Sequence, residues 1–177
     1  MGALGGRRAM PAAGSGLAVA LAVAAGLTAK CARKAVGRIE DAEALLERAG
    51  RIEGRALELA DEDVVSFEAV LHASRDGDPD MALAAAAGPP YEIAECAVEV
   101  ASIAAELALR GTPWLRGDAH AAAVLAEAAA CSAVALVHLN VAGSSAGDGR
   151  WGRARQLTEA AAESRSRAEA ILSRAIG

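Results

Sequence analysis

Hydrophobic and polar positions along the chain repeat with the period of an α-helix. Between Arg38 and His72, apolar residues recur three and four positions apart. Two other stretches, Ser15–Ala35 and Asp118–Val141, are apolar on nearly all sides, which predicts burial all round. Runs rich in Gly, Pro and Asp separate such segments, so the pattern predicts six helices. They cover Ser15–Ala35, Arg38–His72, Met81–Ala87, Tyr91–Arg110, Asp118–Val141 and Gly152–Ala175.

The ends of these segments carry residues that start and stop helices. Ser15 is predicted to be the N-cap of the first helix and Gly37 to end it. The sequence "GPP" at Gly88–Pro90 is predicted to break or kink the chain before the fourth helix. Asp118 begins the fifth helix, where an aspartate also serves as a cap.

Composition makes the predicted core an alanine core. The chain is 54% hydrophobic but only 2% aromatic, and alanine is the best helix former. The 177 residues are therefore expected to form one all-α domain, residues 1–177, in which amphipathic helices surround the two apolar ones. Because alanine buries little area per residue, we expect a homodimer or higher homo-oligomer to complete this multi-helix bundle.

Charge and cysteine usage exclude several classes of function. The net charge is −5, without a basic stripe, so the chain does not resemble a nucleic-acid-binding protein. Cys31, Cys96 and Cys131 lack CxxC spacing and are interpreted as small buried residues in a reducing compartment. His120 and His138 are not spaced as a metal pair, and no metal site is predicted.

The N-terminal stretch allows two interpretations. Arg7 and Arg8 precede the apolar run, which is also the layout of a secretory signal peptide. However, the run of about fifteen residues is short for a membrane span. Lys30 stands directly before Cys31, where a lipoprotein cleavage site needs a small residue. The residues alone leave export and a buried mature helix both open.

Four stretches in order resemble one enzyme family. They are "PAAGS" with the helix that ends in Ala32 and Arg33, "LADEDVVSFEAV", "PPYEIAE…RGTPWLRGDA", and "VHLNV" with Asn140. Together they are similar to the formimidoyltetrahydrofolate cyclodeaminase and methenyltetrahydrofolate cyclohydrolase family, over about residues 10–165. The resemblance implies that the first stretch is mature protein, that the chain is cytoplasmic, and that no membrane is involved.

The resemblance also implies a substrate and a set of site residues. The substrate would be a one-carbon derivative of tetrahydrofolate, with no prosthetic group. Proton transfer beside a cationic carbon suits carboxylates, so Asp118 and Asp63 are the predicted catalytic residues. Arg33 and Lys30 would hold the carboxylates of the folate glutamate tail. The remaining predicted substrate-binding residues are Gly14, Ser15, Asp61 and Asn140.

Departures from the family pattern keep a second hypothesis open. The family's triple glycine is Ala12-Ala13-Gly14 here, an expected asparagine is Leu136, and the loop before Asp118 is altered. An inactive homologue that binds folate, or a helical interaction protein, is therefore the alternative. A free-standing domain slightly favours the cyclohydrolase over the cyclodeaminase. An exported helical protein is the third hypothesis.

Overall fold

The computed structural model describes residues 13–142, 144 and 149–176, apart from the side chains at 76, 150, 151 and 176. Pro11 and Ala12 of the predicted first turn lie outside these residues. The described chain consists of helices without strands, which confirms the all-α class. The elements are α1 (Ala13–Ala35), α2 (Ala42–Asp76), α3 (Asp80–Ala86), α4 (Gly88–Arg110), a 3-10 turn (Pro113–Leu115), α5 (Arg116–Ala142) and α6 (Arg150–Ile176).

Helix ends follow the predicted signals with two differences. The chain leaves α1 at Gly37, whose φ of 79° is the left-handed conformation that glycine tolerates best. The predicted break at Gly88–Pro90 is confirmed, because α3 ends at Ala86 and Gly88–Pro90 forms the first turn of α4, where residues need no N–H partner. Ser15 lies inside the first turn of α1 and is not its N-cap. Asp118 is the third residue of α5 and therefore not a cap either.

The long helices run alternately up and down, in two layers of buried side chains. In the first layer, the starts of α1, α4 and α6 pack against the ends of α2 and α5. The second combines the opposite ends of the same helices. Alanine dominates both layers, and the largest fully buried side chains include Leu21, Leu59 and Ile93. The predicted alanine core is thus confirmed.

The two apolar helices each keep one open face. On α1, Val19 and Val23 remain exposed, the latter at 53%. On α5, Val124, Cys131 and Leu139 are exposed, so Cys131 is not the buried residue that the sequence predicted. Burial on every side is therefore not reached within one chain.

Two helical segments, Ala13–Ala35 and Pro113–Ala142, are long and apolar enough to span a membrane by length and composition. Buried core helices meet the same criterion. About half of each is buried inside this bundle, 56% and 44% respectively.

One arginine connects α2 to α4 through several carboxylates. Arg55 Nε and Nη2 donate to the two carboxylate oxygens of Glu92 at 2.6 and 2.8 Å. The same guanidinium also pairs with Glu58 and Glu62 on its own helix. Hydrogen bonds from Arg55 hold the pKa of Glu92 below its ordinary value of 4.5. The pair therefore stabilises the fold in a pH-dependent way.

We expect Glu92→Gln to lower the free energy of unfolding at pH 7, by at most about 1 kcal/mol because the pair is partly exposed. A carboxylate with a lowered pKa contributes its full stabilisation above the unfolded-state value of 4.5 and loses it as pH falls through the folded-state pKa. The difference between wild type and variant in urea denaturation should therefore shrink below pH 4.5.

Glu95→Gln is the matched control, because Glu95 is an exposed carboxylate on the same helix without an ion pair to any described residue. A Glu92→Gln effect that is independent of pH, or equal to that of Glu95→Gln, would contradict the account of this pair.

Candidate functional site

A cavity of about 290 Å³ opens where α1 begins and α5 ends. Its wall is mostly apolar and carries two polar side chains, a carboxylate from α2 and an amide from α5. The lining residues are Ala13, Gly14, Asp63, Phe67, Pro90, Leu136, Leu139 and Asn140. A concave apolar site with a few polar groups is the usual form of a small-molecule site.

Asp63 supplies the carboxylate and also anchors α1. Its Oδ2 accepts hydrogen bonds from the backbone N–H of Ser15 at 2.8 Å and from Ser15 Oγ at 2.9 Å. Asp63 is only 9% exposed and Ser15 only 5%. A carboxylate at the beginning of a helix satisfies N–H groups that have no partner within the helix. These two bonds hold the buried carboxylate in one orientation.

Gly14 is required at its position because the Asp63 carboxylate lies against its backbone. A Cβ atom built on Gly14 would come within 2.0 Å of Asp63 Oδ1. No side chain fits at that distance, so the missing Cβ allows α2 to present this oxygen beside the helix end. The sequence analysis predicts Gly14 and Ser15 as site residues, and their contacts with Asp63 explain why these two residue types are found there.

Asn140 provides the second polar group in the cavity. Its Nδ2 donates to the carbonyl oxygen of Ala86, the last residue of α3, at 2.8 Å. Carbonyl groups in the last turn of a helix lack partners within the helix. The hydrogen bond therefore satisfies α3 and fixes the orientation of the Asn140 amide.

The other predicted charged residues lie at the opposite end of α1. Lys30 Nζ donates to Asp118 Oδ2 at 3.2 Å, with side chains 51% and 31% exposed. Arg33 is exposed on the same end. Ser15 and Lys30 are about 22 Å apart along the helix axis at an α-helical rise. Within one chain, the two predicted catalytic carboxylates, Asp63 and Asp118, therefore do not share a site.

Three other side chains, those of Asp61, Trp114 and Cys31, lie outside the cavity. Asp61 is exposed and does not line the cavity. Trp114, in the 3-10 turn before α5, is 92% exposed and does not line the cavity. Cys31 is buried as predicted, and burial raises the pKa of its thiol to about 11. Within residues 13–142, 144 and 149–176, no group of His, Cys, Asp and Glu side chains is arranged to hold a metal ion.

Sequence reasoning missed the roles of Pro90 and Leu139 in the wall. Pro90 and Leu139 lie in two of the stretches that carry the family resemblance, but the sequence analysis assigns neither a place in a binding site. Their position next to Asp63 depends on how α4 packs against α2 and how α5 packs against α1 and α4. A single sequence shows no local signal for that packing.

Comparisons with known proteins identify the family and the fold. A sequence model of the family described as formiminotransferase-cyclodeaminase matches residues 1–149, which include every residue lining the cavity. The fold is similar to the crystal structure of a formiminotetrahydrofolate cyclodeaminase from Thermotoga maritima. The TM-score is 0.86 at 23% identity, over 98% of this chain and 93% of that one. No curated protein sequence matches. The resemblance that the sequence indicated is confirmed.

We expect Gly14→Ala to destabilise the protein by about 1–3 kcal/mol, because the added methyl group displaces the Asp63 carboxylate. The penalty should be smaller when it is measured in an Asp63→Ala background, where the clash is absent. A double-mutant cycle from urea denaturation of the four proteins measures this coupling.

Gly54→Ala is the control, because no atom lies within 4 Å of the added Cβ in the middle of α2. That variant should be neutral or more stable by about 0.5–1 kcal/mol. Additive effects of Gly14→Ala and Asp63→Ala would mean that the close approach does not constrain the site.

Proposed function

Because the chain belongs to the formiminotransferase-cyclodeaminase family, we propose that it acts on a one-carbon derivative of tetrahydrofolate. The bound substrate lies in the cavity beside Asp63 and Asn140. The observation that carries this proposal is the fixed carboxylate of Asp63, which is nearly buried in an otherwise apolar wall. Burying a charged group there costs free energy unless the group is hydrogen-bonded, as Asp63 is by Ser15. We therefore expect the carboxylate to have a use at this position.

Both reactions of the proposed substrate class need proton transfer beside a cationic carbon, for which a carboxylate is suited. In the cyclohydrolase reaction, water adds to the cationic carbon between N5 and N10, and the bond from that carbon to N5 then breaks. In the cyclodeaminase reaction, N10 adds to the N5-formimino carbon and ammonia leaves. Asp63 stabilises the positive charge near that carbon, takes the proton that the attacking water or N10 loses, and returns it to the departing nitrogen, which is N5 in the first reaction and the ammonia nitrogen in the second.

Oδ1 of Asp63 is the oxygen proposed for proton transfer. Oδ2 already accepts two hydrogen bonds from Ser15, whereas Oδ1 lies over Gly14, one of the cavity-lining residues. The glycine leaves space that a larger residue would fill. Asn140, held by Ala86, is proposed to bind a polar group of the pterin.

The size of the cavity limits which part of the substrate it encloses. At about 290 Å³ it is at the lower end of the range for small-molecule sites, about 300–1,000 Å³. It therefore encloses a ring system rather than a whole folate. The rest of the molecule would extend outwards past Leu139, which is 65% exposed at the rim.

A homodimer formed through α1 and α5 is part of the proposal. Val19 and Val23 on α1 and Val124 on α5 are exposed on helices that pack side by side. The exposed Leu139 belongs both to α5 and to the cavity rim, so a second copy on this face would also narrow the cavity. Antiparallel α1 helices would bring Asp118 and Arg33 of one copy towards the cavity of the other. This arrangement is how the predicted catalytic pair would meet.

An inactive, folate-binding homologue is the second candidate, and one observation favours it. Leu136 stands in the cavity wall where the family resemblance implies an asparagine. One polar contact with the substrate is therefore missing.

We expect Asp63→Asn to lower turnover by about 10²–10⁴-fold, the usual contribution of general acid–base catalysis. Asparagine still accepts the hydrogen bonds from Ser15, so thermal stability should change little. Both activities should be measured with the purified protein, as absorbance loss of methenyltetrahydrofolate and as its formation from formiminotetrahydrofolate.

Asp61→Asn is the matched control, since Asp61 is an exposed aspartate on the same helix and outside the cavity. Its turnover should equal that of wild type. Wild-type turnover in Asp63→Asn would remove Asp63 from the mechanism. Folate binding without turnover on either substrate by wild type would instead establish the inactive homologue.

For the dimer, we expect Val23→Glu to shift the protein towards monomer, because the change buries an unpaired charge in the proposed interface. Sedimentation velocity at micromolar concentration measures the shift. Val65→Glu is the control, because Val65 is also an exposed valine, at 66% against 53% for Val23, and lies on α2, away from the α1–α5 face. A wild type that sediments only as monomer would contradict the proposed interface.

A further inference from the structure

A second cavity lies at the opposite end of the bundle from Asp63. It has a volume of about 300 Å³ and lies between the ends of α4 and α6 and the start of α5. The wall combines the guanidinium-bearing side chains of Arg116 and Arg174 with the apolar side chains of Leu109 and Ile171. Ala175 completes the lining.

The two arginines in this wall have no anionic partner in the described part of the chain. The other arginines that pack between helices, such as Arg48, Arg55 and Arg165, are each paired with glutamates. Arg116 Nε is buried and makes no hydrogen bond. A buried donor without a partner destabilises the fold, and a donor in a charged group such as a guanidinium does so more strongly. Two positive charges that face one cavity also repel each other.

We propose that this cavity binds a small organic anion. Its carboxylate or phosphate group accepts hydrogen bonds from Arg116, including the buried Nε, and from Arg174. Guanidinium groups present planar sets of donors that match both kinds of oxyanion. The apolar part of the ligand packs against Leu109, which is 63% exposed, and against Ile171.

This site is separate from the proposed folate site. Arg116 is the first residue of α5, and Asn140 lies near its other end. The two are about 36 Å apart along the helix axis at an α-helical rise. Within one chain, the anion therefore binds outside the reach of a ring enclosed beside Asp63, and the inference does not depend on the proposed function.

Isothermal titration of the full chain at constant ionic strength tests the proposal. The probes are hexanoate, hexyl phosphate and inorganic phosphate, each raised to about 10 mM to detect millimolar dissociation constants. We expect hexanoate or hexyl phosphate to bind, and the tighter of the two identifies the head group. Inorganic phosphate, which has no apolar part, should bind more weakly than hexyl phosphate.

Arg116→Met and Arg174→Met should each lower the affinity for the preferred probe by about tenfold or more, as expected for a lost charged hydrogen bond. Arg155→Met is the control, an exposed arginine of α6 outside this cavity, and should bind as wild type does. Arg174 is exposed, so its variant gives an answer even if Arg116→Met does not fold. The proposal is overturned if no probe binds, if inorganic phosphate binds as tightly as hexyl phosphate, or if both variants bind like wild type.

Discussion

The rest of the candidate site depends on the contact between the Asp63 carboxylate and the first turn of α1. Two hydrogen bonds from Ser15 fix one carboxylate oxygen, and the missing side chain of Gly14 makes room for the other. This contact joins the start of α1 to the middle of α2 and sets where the cavity wall lies. The same carboxylate therefore has a structural role in the helix end and is the most suitable group for chemistry in the cavity. A residue with both roles tolerates only substitutions that keep its hydrogen bonds.

A second constraint is the small size of the core side chains. Alanine lets the helices pack closely, but it buries little area, and the outward faces of α1 and α5 stay open in one chain. The cavity lies at the edge of that open surface, through Leu139. Assembly and substrate binding are therefore proposed to use neighbouring parts of one surface. Leu136 in the cavity wall shows that the chemistry of this surface also differs from what the family resemblance implies.

The all-α class and all six helices were predictable from the sequence, because period, alanine content and glycine-rich breaks are local signals. Gly14, Ser15, Asp63 and Asn140 were also predicted, and the structure brings them to the same end of the bundle. The placement of Asp118 beside Lys30 was not predictable. It follows from the antiparallel packing of α1 and α5, which a single sequence does not encode locally.

The most direct test of the central claim is a crystal structure of the protein grown with a stable tetrahydrofolate derivative such as the 5-formyl form. The account predicts electron density for the pterin ring between Phe67 and Asn140, with a ring nitrogen or the one-carbon group within hydrogen-bonding distance of Asp63. Density only at another place on the protein, or an empty cavity at a saturating ligand concentration, would contradict it.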